Sequence, residues 1–191
     1  MSAPAGKIET DVTYLEMTEP PLSPPPPRPT GKLALLRIED PDVDFYRFIY
    51  DRVGTPWLWY ERRLLDDETL ARIIGDPAVD IYVLYVGGAP AGFSELDWRR
   101  YPEVELAYLG LIPDFIGRGL GRTLLRWAID EAWTRNPERL WLHTCTLDHP
   151  NALRIYQRAG FVPYRQERAV IDDPHHAGIL AGVLPGPAGP A

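Results

Sequence analysis

Three glycines at alternate positions, Gly117, Gly119 and Gly121, stand directly before a strongly amphipathic helical pattern. The start of a helix leaves about four backbone N–H groups unpaired and carries a partial positive charge, so it attracts anions. Glycines let an anion approach the backbone closely, and Arg118 and Arg122 could add charge-assisted contacts to phosphate oxygens. The stretch therefore predicts an anion site, best suited to a pyrophosphate, and the alternative is a plain glycine-rich turn with two solvated arginines.

Two familiar phosphate-binding patterns fail in this stretch. The dinucleotide fingerprint needs glycine or alanine at position 122, where Arg122 stands. The P-loop needs a Gly-Lys-Ser/Thr triplet, which the sequence lacks. The anion is therefore predicted to be neither an NAD phosphate nor an ATP phosphate.

The elements around the glycines alternate between strand and helix patterns. Strands are predicted at 33–38, 80–86, 89–98, 103–112 and 139–146, and helices at 42–53, 67–74, 120–133 and 150–160. Gly87 and Gly88 supply the positive φ angles of a two-residue hairpin turn between the second and third of these strands. The pattern predicts an α/β or α+β sheet with helices packed on it.

The composition limits the classes of function. A net charge of −7 argues against a nucleic-acid partner, because phosphate backbones need a basic face. No apolar run approaches the roughly 18 residues that span a bilayer, and the N-terminus lacks a signal-peptide pattern, so no membrane association and a cytoplasmic location are expected. Cys145 is the single cysteine, and the four histidines lack zinc-site spacing, so no metal is expected.

The chain divides into three predicted parts. Seven prolines between Pro20 and Pro29 require an extended segment, which a stiff linker explains better than a docking ligand. Residues 1–31 are predicted to be an N-terminal extension containing this linker, and 12–18 have the propensity to add an edge strand. Residues 32–172 form the predicted domain, and 173–191 form an irregular tail.

Two motifs in this order resemble the GNAT superfamily of acyl-CoA-dependent N-acetyltransferases. Its signature Gln/Arg-x-x-Gly-x-Gly/Ala aligns with residues 116–121, where Ile116 replaces the usual Gln or Arg. A later family pattern appears as Ala152, Tyr156, Gly160 and Phe161. The resemblance implies a mixed, mostly antiparallel central sheet flanked by helices, and transfer of an acetyl group from acetyl-CoA to a primary amine.

The resemblance also implies where coenzyme A would bind. In the family, the strand before the glycine loop splays from its neighbour, and the pantetheine arm lies in the gap. The backbone amides of 117–123 would hold the pyrophosphate, and His149 stands where the family often has an asparagine, with Asn151 nearby. The implied cofactor-binding residues are Leu109, Gly110, Leu111, Gly117, Arg118, Gly119, Leu120, Gly121, Arg122, Thr123, His149 and Asn151.

Glu105 and Tyr156 are the catalytic residues that the resemblance implies. Glu105 aligns with the general base of several family members, and Glu103 lies on the same strand face as an alternative. Tyr156 matches the tyrosine proposed to protonate the departing thiolate, and the Leu111 N–H would hold a developing oxyanion. The competing interpretations are a solvent-facing strand glutamate and a packed helix aromatic.

The acceptor amine, belonging to a small molecule or a protein, is expected opposite the cofactor. The candidate substrate-binding residues are Trp57, Trp59, Tyr60, Glu61 and Glu103. His143 and Cys145 are expected to be buried and inert, because no acidic partner accompanies them in the sequence. A homodimer is compatible with the sequence, and a non-catalytic acyl-CoA-binding module on the same fold is the alternative function.

Overall fold

A computed structural model describes residues 5–180, which form one seven-stranded sheet. The strands are β1 (Lys7–Met17), β2 (Leu33–Arg37), β3 (Val79–Val86), β4 (Ala89–Asp97), β5 (Glu103–Leu111), β6 (Arg139–Cys145) and β7 (Val162–Asp172). Their order across the sheet is β2-β3-β4-β5-β6-β1-β7, and β5–β6 is the one parallel pair among them. The mixed, mostly antiparallel sheet is thus confirmed, while β7 lies outside the strands predicted from sequence.

The first strand lies inside the sheet rather than at its edge. β1 pairs with β6 along one side and with β7 along the other, so the prediction of an edge strand at 12–18 was wrong. Leu15 and Met17 are alternate residues of β1, and both are buried in the core, which holds the strand inside the sheet. The proline-rich residues 18–32 form no helix or strand, and the division of the chain at residue 31 stays a prediction. Of the predicted tail, 173–180 form turns and 181–191 lie outside the described residues.

Four α-helices lie within residues 5–180: α1 (Val43–Gly54), α2 (Asp67–Ile74), α3 (Leu120–Trp133) and α4 (Ala152–Ala159). α1 and α2 pack on one face of the sheet, where Ile49 and Leu70 meet Val83 and Phe93. α3 and α4 pack on the other, where Leu125 and Ile129 meet residues of β1, β5 and β6. We call these the α1 face and the α3 face. Apolar residues at helical spacing produce both contacts.

The parallel strands β5 and β6 pair over only three positions. The paired residues are Glu103 with Arg139, Val104 with Leu140, and Glu105 with Trp141. The register of β5 against β4 then shifts by one residue at Ala107, which is a β-bulge. A bulge bends its strand, so β5 turns away from β6 beyond this point. The two strands therefore splay and leave a gap toward their carboxyl ends.

Candidate functional site

The glycine turn before α3 has the backbone conformation that its sequence predicts. Gly117 has φ +83°, and Gly119, the N-cap of α3, has φ +78°. Residues with a side chain rarely adopt this backbone conformation. A Cβ at either position would meet nothing within 4 Å. Gly121 differs, because it is helical and a Cβ there would touch Leu111 at 3.6 Å. Two glycines thus shape an open turn, whereas at Gly121 a Cβ would make only an ordinary contact with Leu111 of β5.

The turn presents unpaired backbone donors to the surface. No acceptor within residues 5–180 is hydrogen-bonded to the N–H groups of residues 117–122. The Thr123 N–H donates to the Gly119 carbonyl at 3.4 Å, so it is engaged within the helix and is not the free amide expected at this position. Arg118 lies over the Phe115 ring at 5.2 Å, and its exposed guanidinium remains close to the turn. These groups suit an anion at the start of α3.

The gap between β5 and β6 also exposes backbone donors. Ile112 donates to the Ala91 carbonyl of β4 at 2.9 Å. Antiparallel strands alternate the direction of their N–H groups, so those of Leu109 and Leu111 point the other way, into the gap. The side chains of Leu109 and Leu111 pack on the α3 face. The two strand donors and the glycine turn follow each other along the chain, as an elongated ligand with a terminal anion requires.

Gly110 faces the opposite side of the sheet. A Cβ on Gly110 would collide with Val53 of α1 and lie 3.4 Å from the Trp59 ring. The glycine is therefore needed for close packing against α1, and its own contact to a cofactor is limited to the backbone. Leu120 is similar, since its side chain is buried in the core and only its N–H reaches the turn.

Glu105 and His143 face each other where the gap opens. His143 lies on β6, and its Nδ1 is 3.5 Å from Oε1 of Glu105. Donation from the His143 imidazole to the Glu105 carboxylate raises the pKa of His143, although burial opposes the shift. His143 is exposed and has an acidic partner, so the prediction of a buried histidine was wrong. The pairing depends on the strand register, which the sequence alone does not reveal.

A polar cleft of about 330 Å³ lies beside this pair. Its walls are Asp97, Arg99, Arg100, Glu103, Glu105 and Trp141. Glu103 accepts from Arg139 at 2.9 Å, and the same guanidinium binds Glu16 at 3.1 Å. Glu103 is thus already engaged in an ion pair, whereas Glu105 faces an imidazole. Of the two glutamates, the structure leaves Glu105 the freer to take part in proton transfer.

The aromatic segment between α1 and α2 closes the α1 face of the gap. Leu58 has a positive φ of 58°, which turns the chain between the two tryptophans. Trp59 packs against Gly54 and Gly110, and its Nε1 donates to Oδ1 of Asp148 at 3.2 Å. The Trp57 ring lies 5.0 Å from that of His149. These tryptophans form a wall across the gap rather than a lining of the open cleft.

Tyr60 and Glu61 lie next to this wall. Glu61 accepts hydrogen bonds from the Tyr50 hydroxyl and from the Tyr60 N–H, both at 3.2 Å. Burial raises the pKa of Tyr60, and the charge of Glu61 adds to the shift. The next residue, Arg62, binds the fully buried Glu95 at 2.5 Å, and Tyr46 donates to the same carboxylate at 2.6 Å. The segment is thereby fixed to β4.

Asp148 connects the two sides of the gap, and no sequence motif identifies it. Besides Trp59, it accepts from the Thr144 hydroxyl at 2.7 Å and from the Cys145 N–H at 3.0 Å. These bonds hold the loop after β6 against the aromatic segment. Burial raises the pKa of Cys145, so the thiol stays protonated, in line with the inert role expected from sequence.

The predicted residues on α4 and in the loop before it are His149, Asn151 and Tyr156, and their hydrogen bonds and burial differ. The Asn151 N–H donates to Nδ1 of His149 at 3.1 Å, while the Asn151 side chain makes no cap bond and is exposed. Tyr156 packs against the core of the α3 face and lies 6.2 Å from the Phe161 ring. Burial raises the pKa of Tyr156, and the nearby charge of Asp148 adds to it. The phenol therefore keeps its proton at neutral pH.

Within residues 5–180, no group of three or more histidine, cysteine, aspartate or glutamate side chains is arranged to hold a metal ion. Among the helices of the same range, none has the length and apolar character needed to cross a membrane.

The splayed parallel pair, the glycine turn at the start of α3 and the polar cleft together define a fold and site of the acetyltransferase class. The profile described as the acetyltransferase (GNAT) family matches residues 43–161, so the chain belongs to that family. The resemblance stated from the two sequence motifs is thereby confirmed. The family is one of acyltransferases, so the protein is a member of an acyltransferase family.

Relatives with named activities agree with this membership. The chain is 32% identical to streptothricin acetyltransferase of Streptomyces lavendulae, over 39% of each chain. It is 24% identical to a Bacillus subtilis (strain 168) protein provisionally named ribosomal protein bS18-alanine N-acetyltransferase, over 67% of this chain and 78% of the relative. The solved Escherichia coli ribosomal-protein-S18-alanine N-acetyltransferase superposes with a TM-score of 0.57 at 22% identity, covering 73% of this chain and 91% of that one. The last comparison supports the fold alone.

Proposed function

We propose that the protein transfers an acetyl group from acetyl-CoA to a primary amine of a small molecule, an amino acid or a protein, by direct attack of the amine. The observation that carries this proposal is the open edge of β5, where unpaired N–H groups lead into the glycine turn of α3. An acyl carrier with a long arm and a diphosphate fits such a row of donors. The matching family profile supports the same choice.

When bound, acetyl-CoA supplies an electrophilic thioester carbonyl. The N–H groups of Leu109 and Leu111 would hold the arm, and that of Leu111 could also stabilise negative charge on the carbonyl oxygen. The N–H groups of residues 117–122 would bind the diphosphate, with Arg118 and Arg122 adding charge. The exposed side chain of Asn151 is free to contact the same ligand.

The acceptor must lose a proton before it attacks, and the leaving sulfur must gain one. Glu105 is the predicted base, and it lies at the last paired position of β5, where the gap opens. Tyr156 keeps its proton at neutral pH, which suits a donor to the departing thiolate. Binding in this gap would bring the reacting groups together and exclude water from them.

The charge around the gap favours a cationic acceptor. Glu105 lies 3.5 Å from His143, and the charges of Asp148 and Glu61 also act on that imidazole, so the region has an acidic character. An ammonium group would be attracted to this region before it loses its proton. The named relatives acetylate streptothricin or the alanine of ribosomal protein bS18, and both kinds of acceptor, together with a cytoplasmic location, belong to the proposal.

The test is an assay of free thiol released from acetyl-CoA across a panel of amines. The panel should include streptothricin, a peptide with an N-terminal alanine and a linear diamine. We expect turnover with at least one amine, and acetyl-CoA binding measurable by calorimetry without any amine. Binding without turnover across a broad panel would instead support a non-catalytic acyl-CoA-binding module, and absence of binding would contradict both.

A further inference from the structure

Two side chains bridge the splayed strands on the α1 face. Glu105 projects from β5 and His143 from β6, with Oε1 and Nδ1 3.5 Å apart. The His143 side chain is 48% exposed, whereas that of Glu105 is 23% exposed. Within residues 5–180, the one ion-pair contact of the His143 ring is through Nδ1, and Nε2 takes no part in it. The imidazole thus has one nitrogen facing a carboxylate and the other free for a ligand.

We propose that His143 is the general base that removes the proton from the acceptor ammonium, and that Glu105 is the positioning residue that orients it. This role rests on the proposed acetyltransferase function. It differs from the assignment of Glu105 as the base, because the carboxylate now acts through the imidazole. A carboxylate that fixes the ring and stabilises its charged form is an established arrangement for a histidine base.

The register of the parallel strands supports His143 by its position. Glu105 is paired with Trp141, so His143 lies two residues further along β6, at the level of Ala107. At about 3.3 Å per residue, this is about 7 Å closer to the carboxyl ends of the strands. Leu109, Leu111 and the glycine turn lie at that end. His143 therefore lies further than Glu105 along the strand direction, toward the open end of the gap where the thioester would be held.

The charged groups around His143 stabilise the protonated imidazole that forms when it accepts a proton. Glu105 faces it from β5, Glu61 from the segment after α1, and Asp148 from the loop after β6. From β1, the Tyr14 ring lies 5.8 Å away, with Arg165 and Glu167 of β7 in contact with Tyr14. Cys145 is the next residue of β6 on the same face, and its thiol is protonated. The hydrogen bond that His143 donates to the Glu105 carboxylate is the largest influence, and it raises the pKa of His143 above the ordinary 6.5.

This raised pKa suits a base that works near neutral pH. A general base is most effective when its pKa lies close to the working pH, because it is then both unprotonated and a strong proton acceptor. The raised pKa makes His143 a stronger proton acceptor than an ordinary imidazole, and Glu105 supplies the interaction that raises it.

The proton balance of the step is complete with groups that the protein and its substrates hold. An ammonium N–H bond breaks as Nε2 of His143 binds the proton, and the nitrogen keeps the electron pair for its bond to the carbonyl carbon. The C–S bond breaks with its electron pair on sulfur, which receives a proton from Tyr156. Tyr156 regains a proton from the nitrogen through water, and His143 releases its own to solvent. One proton is released for each amide formed.

The first test is independent of activity. NMR titration of the histidine side chains, with His143→Gln to identify the signal, should give His143 a pKa above 6.5 in the wild type. Glu105→Gln should lower that pKa, whereas the matched variant Glu103→Gln should leave it nearly unchanged, because Glu103 is paired with Arg139. A pKa of His143 that is not raised, or that Glu105→Gln does not change, would overturn the proposal.

The second test is the pH dependence of kcat/KM with an amine that the wild type acetylates. His143→Gln should lower kcat/KM by about 10²-fold or more at pH 7 and remove the acidic limb, as expected on loss of a general base. Glu105→Gln should keep more activity and move the acidic limb to lower pH. The matched variant His176→Gln, at an exposed histidine in the turns after β7, should behave as wild type.

The outcomes distinguish the role of His143 from the proposed acetyltransferase function. Full activity and an unchanged acidic limb in His143→Gln, with an inactive Glu105→Gln, would overturn the role of His143 and return the base to Glu105. A wild-type protein that acetylates no amine would overturn the proposed function itself, and the role of His143 with it.

Discussion

Replacing Gly119 by glutamate tests the anion site most directly. Gly119 is the N-cap of α3 with φ +78°, and a Cβ there meets no atom within 4 Å. The new side chain would therefore extend into the open space in front of the unpaired N–H groups, where the diphosphate is proposed to lie. We expect Gly119→Glu to abolish measurable binding of acetyl-CoA.

The size of the effect follows from charge and distance. One carboxylate about 4 Å from one phosphate charge costs about 4 kcal/mol at an effective dielectric constant of 20. That energy weakens Kd by about 10³-fold, and the bulk of the side chain adds to it. The positive φ costs the fold about 1–2 kcal/mol for any residue that replaces glycine here. The variant should thus still fold, with binding affected far more than stability.

A matched control distinguishes charge at the site from backbone strain. Gly178 has φ +76° and equally open surroundings, and it follows β7, which β6 and β1 separate from β5. Gly178→Glu carries the same strain and the same charge, so its calorimetric Kd should match the wild type. An unchanged Kd in Gly119→Glu, or an equal loss in both variants, would refute the assignment of the diphosphate to this turn.

Three further predictions concern packing, the thiolate and pH. Gly110→Ala should lower the free energy of unfolding by about 1–3 kcal/mol, because its Cβ collides with Val53. In urea unfolding, the double variant Gly110→Ala, Val53→Ala should recover part of that loss. No recovery would contradict this contact. Tyr156→Phe should lower kcat by about 10²-fold with little change in the Kd of acetyl-CoA, and an unchanged kcat in steady-state assays would exclude the phenol as proton donor. Because the folded pKa of His143 is raised, its contribution to stability is complete below pH 6.5 and is lost as the pH rises through the folded value. Thermal unfolding should show this loss in the wild type and not in Glu105→Gln.

Local features of the chain were predictable from the sequence. Gly87 and Gly88 adopt φ +61° and +92° between β3 and β4, as the hairpin prediction required. The helix at 120–133 is confirmed because its apolar residues recur at the helical period, and those residues are buried. Both predictions depend only on the preferences of neighbouring residues for φ, ψ and burial.

The position of β1 could not be predicted in the same way. Its strand propensity is visible in the sequence, but its partners are β6 and β7, which follow it by more than a hundred residues. β7 itself begins with Val162 and Pro163 and carries exposed charged residues, so it lacks the alternating apolar pattern of a half-buried strand. Pairing between distant segments is decided by the whole sheet rather than by local propensity.

The sequence by itself determined the glycine turn, the helix that follows it and the family to which these residues belong, because each is written in consecutive residues. Only the tertiary structure decided that β5 and β6 part after three paired positions and that His143 comes to face Glu105. The physical reason is that a parallel register, a bulge at Ala107 and the insertion of β1 beside β6 set this distance together. A shift of one residue in that register would turn His143 to the opposite face of the sheet.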